Sequence, residues 1–128
     1  MLTTITVCDT CKREGWNAES GQTDGEILAS LIERAADGLD GITVRRHSCL
    51  MGCSSACNVA LQADGKMAYT LGGFDPTSDA ADGIVEYASL HAREKTGIVA
   101  YRDWPEAING HFVTRHPPLP DASADPDD

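Results

Sequence analysis

All five cysteines of this chain lie between Cys8 and Cys57, and their number is odd. An odd set cannot close completely into internal disulfides, and a reducing cytosol disfavours a disulfide framework in any case. The 128 residues suffice for one hydrophobic core and leave little room for two. Thiols clustered this way in a reducing compartment point to metal binding or redox chemistry rather than to structural staples. A cytoplasmic location is expected, because Met1-Leu2-Thr3-Thr4-Ile5 has neither the basic opening nor the apolar run of a secretion signal. No stretch approaches the roughly 18 consecutive apolar residues of a membrane helix, so no membrane association is expected.

Charge narrows the partners. Ten basic and 20 acidic side chains leave a formal net charge of −10, which would repel a phosphate backbone and argues against nucleic-acid binding. A soluble carrier that meets basic partners is compatible with it.

Patterning predicts the order of elements. Leu2 to Val7, rich in β-branched residues, reads as a buried strand running into Cys8. Thr23-Asp24-Gly25-Glu26 has the form of a capping box, with Ile27, Leu28, Leu31, Ile32 and Ala35 at helical spacing behind it and Gly38 placed to end the helix. Gly41 to His47 reads as a second strand with Ile42 and Val44 on one face. Val59, Leu61 and Ala63, the turn Asp64-Gly65, and Met67, Tyr69 and Leu71 form an alternating hairpin. Asp75-Pro76 is expected to open a helix that reaches Lys95, with Ile84, Tyr87, Ala88 and His91 on one stripe and Gly83 weakening it. Ile98 to Tyr101 is expected as a short strand, Asp103-Trp104-Pro105 as the start of a helical turn stopped by Gly110, and Phe112-Val113 as a further strand.

The order β-α-β-β-β-α, with a crossover helix between the first two strands and an antiparallel hairpin after them, makes a two-layer α/β domain with a mixed sheet. Thioredoxin-like folds have this order; a ferredoxin-like α+β sandwich is the alternative. The expected division is a cluster-binding domain over 1–97, a C-terminal extension packed on it over 98–116, and an acidic Pro-rich tail over 117–128 that reads as disordered.

Cys8-Asp9-Thr10-Cys11 ends the first strand; Cys49-Leu50-Met51-Gly52-Cys53 follows the second, and Cys57 comes four residues later. If those strands are parallel neighbours, both loops emerge at one edge and offer four soft ligands, suited to a [2Fe–2S] cluster or to tetrahedral zinc. Gly52 lets backbone N–H groups approach such a cluster. Lys12, Arg13, Arg45 and Arg46, with His47, flank the cysteines; they read either as cations that steady an anionic cluster or as solvated element ends.

The segment Cys49-Leu50-Met51-Gly52-Cys53-Ser54-Ser55-Ala56-Cys57 resembles the second cysteine loop of thioredoxin-like [2Fe–2S] ferredoxins, and Val7-Cys8 through Cys11 is similar to their first. The resemblance covers roughly residues 1 to 95. The whole chain also resembles small bacterial proteins described as predicted metal-binding proteins. What these resemblances imply is a [2Fe–2S] cluster on Cys8, Cys11, Cys49 and Cys53, one-electron transfer with a redox protein as donor and acceptor, and a possible homodimer. A reductive step in cobalamin or cobalt metabolism is the setting suggested by the second of them. The first cysteine pair is tighter than in the ferredoxins, and Cys57 stands where they have proline, which makes it an alternative or spare ligand.

Other readings stay open. Cys8 to Cys11 is a C-x-x-C after a strand, as in thioredoxin-type thiol oxidoreductases, though the helix begins well downstream of the motif. Structural zinc, or carriage of metal or of an Fe–S cluster, would use the same thiols. No phosphate loop and no nucleophile–base pair is evident, so electron transfer is favoured over enzymatic turnover. His47 reads as a strand-end residue, His91 as a packed side chain, and Asp9 as a turn residue.

Overall fold

The computed structural model describes residues 3–12, 15–16, 19, 21–48 and 57–119. Leu2, Arg13, Cys49, Gly52, Cys53 and the 120–128 part of the expected tail therefore lie outside the described residues.

The elements follow the expected order. β1 (Thr3–Cys8), α1 (Asp24–Ala36), β2 (Ile42–His47), β3 (Val59–Gln62), β4 (Ala68–Leu71), α2 (Ser78–Arg93) and β5 (Phe112–His116) build one five-stranded sheet, in the order β2-β1-β3-β4-β5. β1 and β2 are parallel, and the other neighbouring pairs are antiparallel. This is the two-layer α/β arrangement with a mixed sheet. Both helices lie on the same face: α1 packs against β1, β2 and α2, and α2 reaches β1 and β2.

Period-two alternation assigns the faces of β1. Ile5 and Val7 are fully buried, and Thr3 Oγ1 meets His91 Nδ1 of α2 at 2.8 Å, so this row faces the helices. Thr4, Thr6 and Cys8 form the opposite row. Cross-strand pairing carries the assignment onward, because Leu61 lies opposite Ile5 and Tyr69 opposite Leu61. Leu28, Ile32, Ile84 and Tyr87 complete the core from the helices.

Local chemistry fixes the helix ends. Thr23 Oγ1 accepts from Glu26 N–H at 3.0 Å, and Glu26 Oε1 accepts from Thr23 N–H at 2.8 Å, closing the expected capping box. α2 departs from expectation at its start. Its cap is Thr77, whose side chain accepts from Ala80 N–H, so Asp75 and Pro76 precede the helix instead of opening it. The Asp75 carbonyl instead accepts from Thr77 N–H at 2.8 Å, forming a turn before the cap. The helix ends at Arg93, two residues short of Lys95, where Lys66 Nζ donates to the carbonyls of His91 and Ala92 at 2.9 and 2.7 Å. A buried lysine from the hairpin thus satisfies carbonyls that the helix end leaves open.

Ile98 to Tyr101 is not a strand. Val99 is buried, its carbonyl accepts from Trp104 Nε1–H at 3.0 Å, and a 3-10 turn begins at Tyr101. A second 3-10 turn, Glu106–Ile108, presses on α2 at Gly83, where a Cβ would come within 2.6 Å of Ala107 Cβ. Gly83, a weak point by helix propensity, is what allows this approach.

His91 is fully buried, as a packed residue should be. Its Nε2–H donates to Met67 O at 2.7 Å while Nδ1 accepts from the Thr3 hydroxyl, which defines a neutral tautomer. Burial pushes its pKa below the ordinary 6.5; nearby Lys66 adds to this and the Met67 carbonyl opposes it. With the folded value depressed, the unfolded chain takes up a proton below about pH 6.5 that the native state refuses. Stability should then fall as the pH drops below 6.5, at up to about 1.4 kcal/mol per pH unit until the folded pKa is reached. Urea midpoints from pH 7.5 downward should show this slope, and His91→Gln should remove that part of it.

Candidate metal or redox centre

Three segments meet where β1 ends. Because β1 and β2 are parallel, Cys8 lies opposite His47, and the ladder continues one step further as Asp9 N–H donates to His47 O at 3.1 Å. β3 runs the other way, so its first residues return to the same edge, and Cys8 N–H donates to Asn58 O at 3.1 Å. Cys8, Cys11 and Cys57 are all buried thiols at this edge. The segment 49–56, which carries Cys49 and Cys53, leaves from Ser48 after β2 and ends at Cys57 before β3.

The start of α1 closes on the first cysteine loop from the helix side. Gly25 N–H donates to Cys11 O at 3.0 Å, and the Thr23 hydroxyl donates to Asp9 O. A Cβ at Gly25 would overlap the Cys8 carbonyl oxygen and come within 3.1 Å of Asp9 Cα. Although the helix begins well downstream in sequence, the chain folds its N-terminus back onto the C-x-x-C motif. The capping box was legible in the sequence; its contact with the cysteine loop was not.

Asn58 is the residue that sequence reasoning missed. Only 1% exposed, it accepts from Cys8 through its carbonyl and donates from Nδ2 to Cys11 Sγ at 3.3 Å. One residue therefore braces both cysteines of the first loop. Its place directly after Cys57 was the available signal. Cys8 Sγ also lies 3.6 Å from Thr10 Oγ1.

The electrostatics are those of a closed thiol site. Burial, helped by a hydrogen bond with Cys8, pushes the Cys11 thiol up to about 12, against a smaller opposing effect of Asn58. An attacking thiol needs the opposite shift, which a helix N-terminus or a cation usually supplies. A bound metal cation deprotonates such a thiol outright.

The flanking cations are largely occupied elsewhere. Arg46 pairs with Glu33 of α1 at 2.8 Å and donates to Ser30, while Arg45 Nε donates to Thr6 Oγ1 at 2.7 Å. Lys12 Nζ lies 4.6 Å from the centre of the Trp16 ring. His47 is an exposed strand-end residue whose Nδ1–H donates to Ser48 O.

Among the described residues no three His, Cys, Asp or Glu side chains are grouped so as to hold a metal ion. A centre at this edge would therefore need Cys49 or Cys53 as well. The donor set suits a group that binds thiolates: buried sulfurs from two segments, with an amide N–H on one of them. Among the described residues no helix is long and apolar enough to cross a membrane.

No curated protein and no solved structure matches the chain. One family pattern covers nearly all of it, over residues 5–118. The chain belongs to the family described as Protein of unknown function (DUF1636).

Proposed function

We propose that this protein is an electron carrier of the thioredoxin-like [2Fe–2S] ferredoxin kind, with Cys8, Cys11, Cys49 and Cys53 as ligands and Cys57 as a spare thiol. The observation that carries this reading is the meeting of the buried thiols Cys8, Cys11 and Cys57 at one end of the sheet, where the parallel β1–β2 pair ends and β3 begins. When bound, the cluster would supply a one-electron couple whose potential the surrounding dipoles set. Cys8 and Cys11 would hold it from the strand end, with the loop kept in place by Asn58 and by Gly25 N–H. Burial of Cys8, Cys11 and Cys57 would keep water from the sulfurs.

Anaerobically purified protein should be red-brown, contain about two irons and two sulfides, and bleach reversibly with dithionite. Colourless protein with about one zinc would replace this reading with a structural or carrier site. Protein that takes up no metal after anaerobic reconstitution would restore the oxidoreductase. Transfer of iron and sulfide to an apo-acceptor without reversible reduction would favour carriage.

Asn58→Ala should keep the fold but weaken retention of the metal roughly 10- to 100-fold, as losses of an outer hydrogen bond commonly do. Chelator-driven release, followed by absorption, measures this directly.

A further inference from the structure

The sheet face turned away from the helices carries a second feature, about four residues or 13 Å along β1 from Cys8. Here Thr4 lies opposite Gln62 of β3, Arg45 of β2 lies opposite Thr6, and His116 of β5 lies opposite Ala68. The small residues Ala63, Gly65 and Ala68 leave a hollow, and Pro117, Pro118 and Leu119 form an apolar wall. The resulting cleft has a volume of about 770 Å³, within the usual span of small-molecule sites.

Several of its polar groups keep donors and acceptors to spare. Arg45 makes one hydrogen bond, from Nε to Thr6, and among the described residues its two terminal nitrogens have no partner. The Thr4 hydroxyl and the Gln62 carboxamide likewise make no hydrogen bond among the described residues, while His116 makes only a long contact of 3.4 Å with Thr114 Oγ1. Lys66 contributes no charge here, because its Nζ is turned to the α2 carbonyls. Asp64, exposed at the hairpin turn, is the one carboxylate in the lining. An arginine without an acidic partner, in a chain of net charge −10, marks this hollow as locally suited to an anion.

We propose that the cleft binds a small organic carboxylate: the anion on the Arg45 fork, further hydrogen bonds from Gln62 and Thr4, and the apolar body against the wall of Pro117 to Leu119. The planar guanidinium matches a carboxylate in two-point contact. A phosphate dianion would gain nothing from the apolar wall and would face Asp64 with a single cation to hold it.

The test is a titration of the full-length protein with benzoate, with inorganic phosphate and with uncharged benzyl alcohol, read by NMR on the Arg45 and Gln62 side-chain N–H groups. Benzoate should give saturable shifts at both, with a dissociation constant of about 1 mM or tighter. Arg45→Gln, which keeps a donor for Thr6, should weaken binding at least about tenfold while the rest of the spectrum shows an intact fold. Shifts that never saturate, or benzoate binding unaffected by Arg45→Gln, would overturn the site. Equal binding of phosphate would overturn the carboxylate assignment, and equal binding of benzyl alcohol would reduce the site to an apolar hollow.

Discussion

Replacing Cys8 or Cys11 with serine is expected to leave a folded but colourless protein, whereas Cys57→Ser should keep its visible absorption and about two irons. A serine hydroxyl is a far poorer ligand for iron than a thiolate, so losing one ligand from either chain segment should release the cluster. The structural cost is small by comparison. Serine at position 11 can still accept from Asn58 Nδ2, and the backbone bonds from Cys8 N–H to Asn58 O and from Gly25 N–H to Cys11 O do not involve the side chain. Circular dichroism of the metal-free variants separates loss of ligand from loss of fold. Loss of colour in Cys57→Ser alone would reverse the assignment, making Cys57 a ligand and one of the other four the spare thiol.

Gly25→Ala should be among the most damaging single-methyl substitutions in the molecule. In most exposed helix positions alanine is favoured over glycine by up to about 1 kcal/mol. Here the sign reverses, because the new Cβ would occupy the space of the Cys8 carbonyl oxygen and crowd Asp9 Cα. Both obstacles are backbone, and neither can swing aside as a flexible side chain would. The Cys8 strand end is also pinned by its pairing with β2 and β3. Relief would need α1 to lift away from the cysteine loop, breaking the Gly25–Cys11 and Thr23–Asp9 hydrogen bonds together. A destabilisation of more than about 3 kcal/mol follows from such overpacking, measurable as a fall in the urea midpoint. Whatever folded protein remains should also retain metal poorly, which links this position to the site. Unchanged stability in Gly25→Ala would mean that α1 does not approach the loop this closely.

Much of this architecture was readable without coordinates. The Thr23–Glu26 box, the Asp64-Gly65 turn and the Ile84, Tyr87, Ala88, His91 stripe depend on groups within a few residues of one another, so local spacing determines them. The same alternation assigned the buried rows of the hairpin. At Asp75-Pro76 the local signal pointed to the wrong residue: the helix starts after Thr77, whose side chain accepts from Ala80 N–H.

The first cysteine loop was visible as a motif, but its surroundings were not. Asn58 lies 47 positions from Cys11, Lys66 lies 25 from His91, and Gly25 meets Cys8 only because α1 folds back over the strand end. Such contacts depend on how whole elements stack, and no period in the sequence encodes them. Ile98 to Tyr101 makes the same point: β-branched residues favour a strand, yet the buried Val99 and the bond from Trp104 Nε1–H to its carbonyl hold this segment in a different path. The sequence by itself determined the order of the two helices and of the strands with clear alternation, and which thiols are available. Only the tertiary structure decided which strand ends share an edge, because that depends on pairing between groups far apart along the chain.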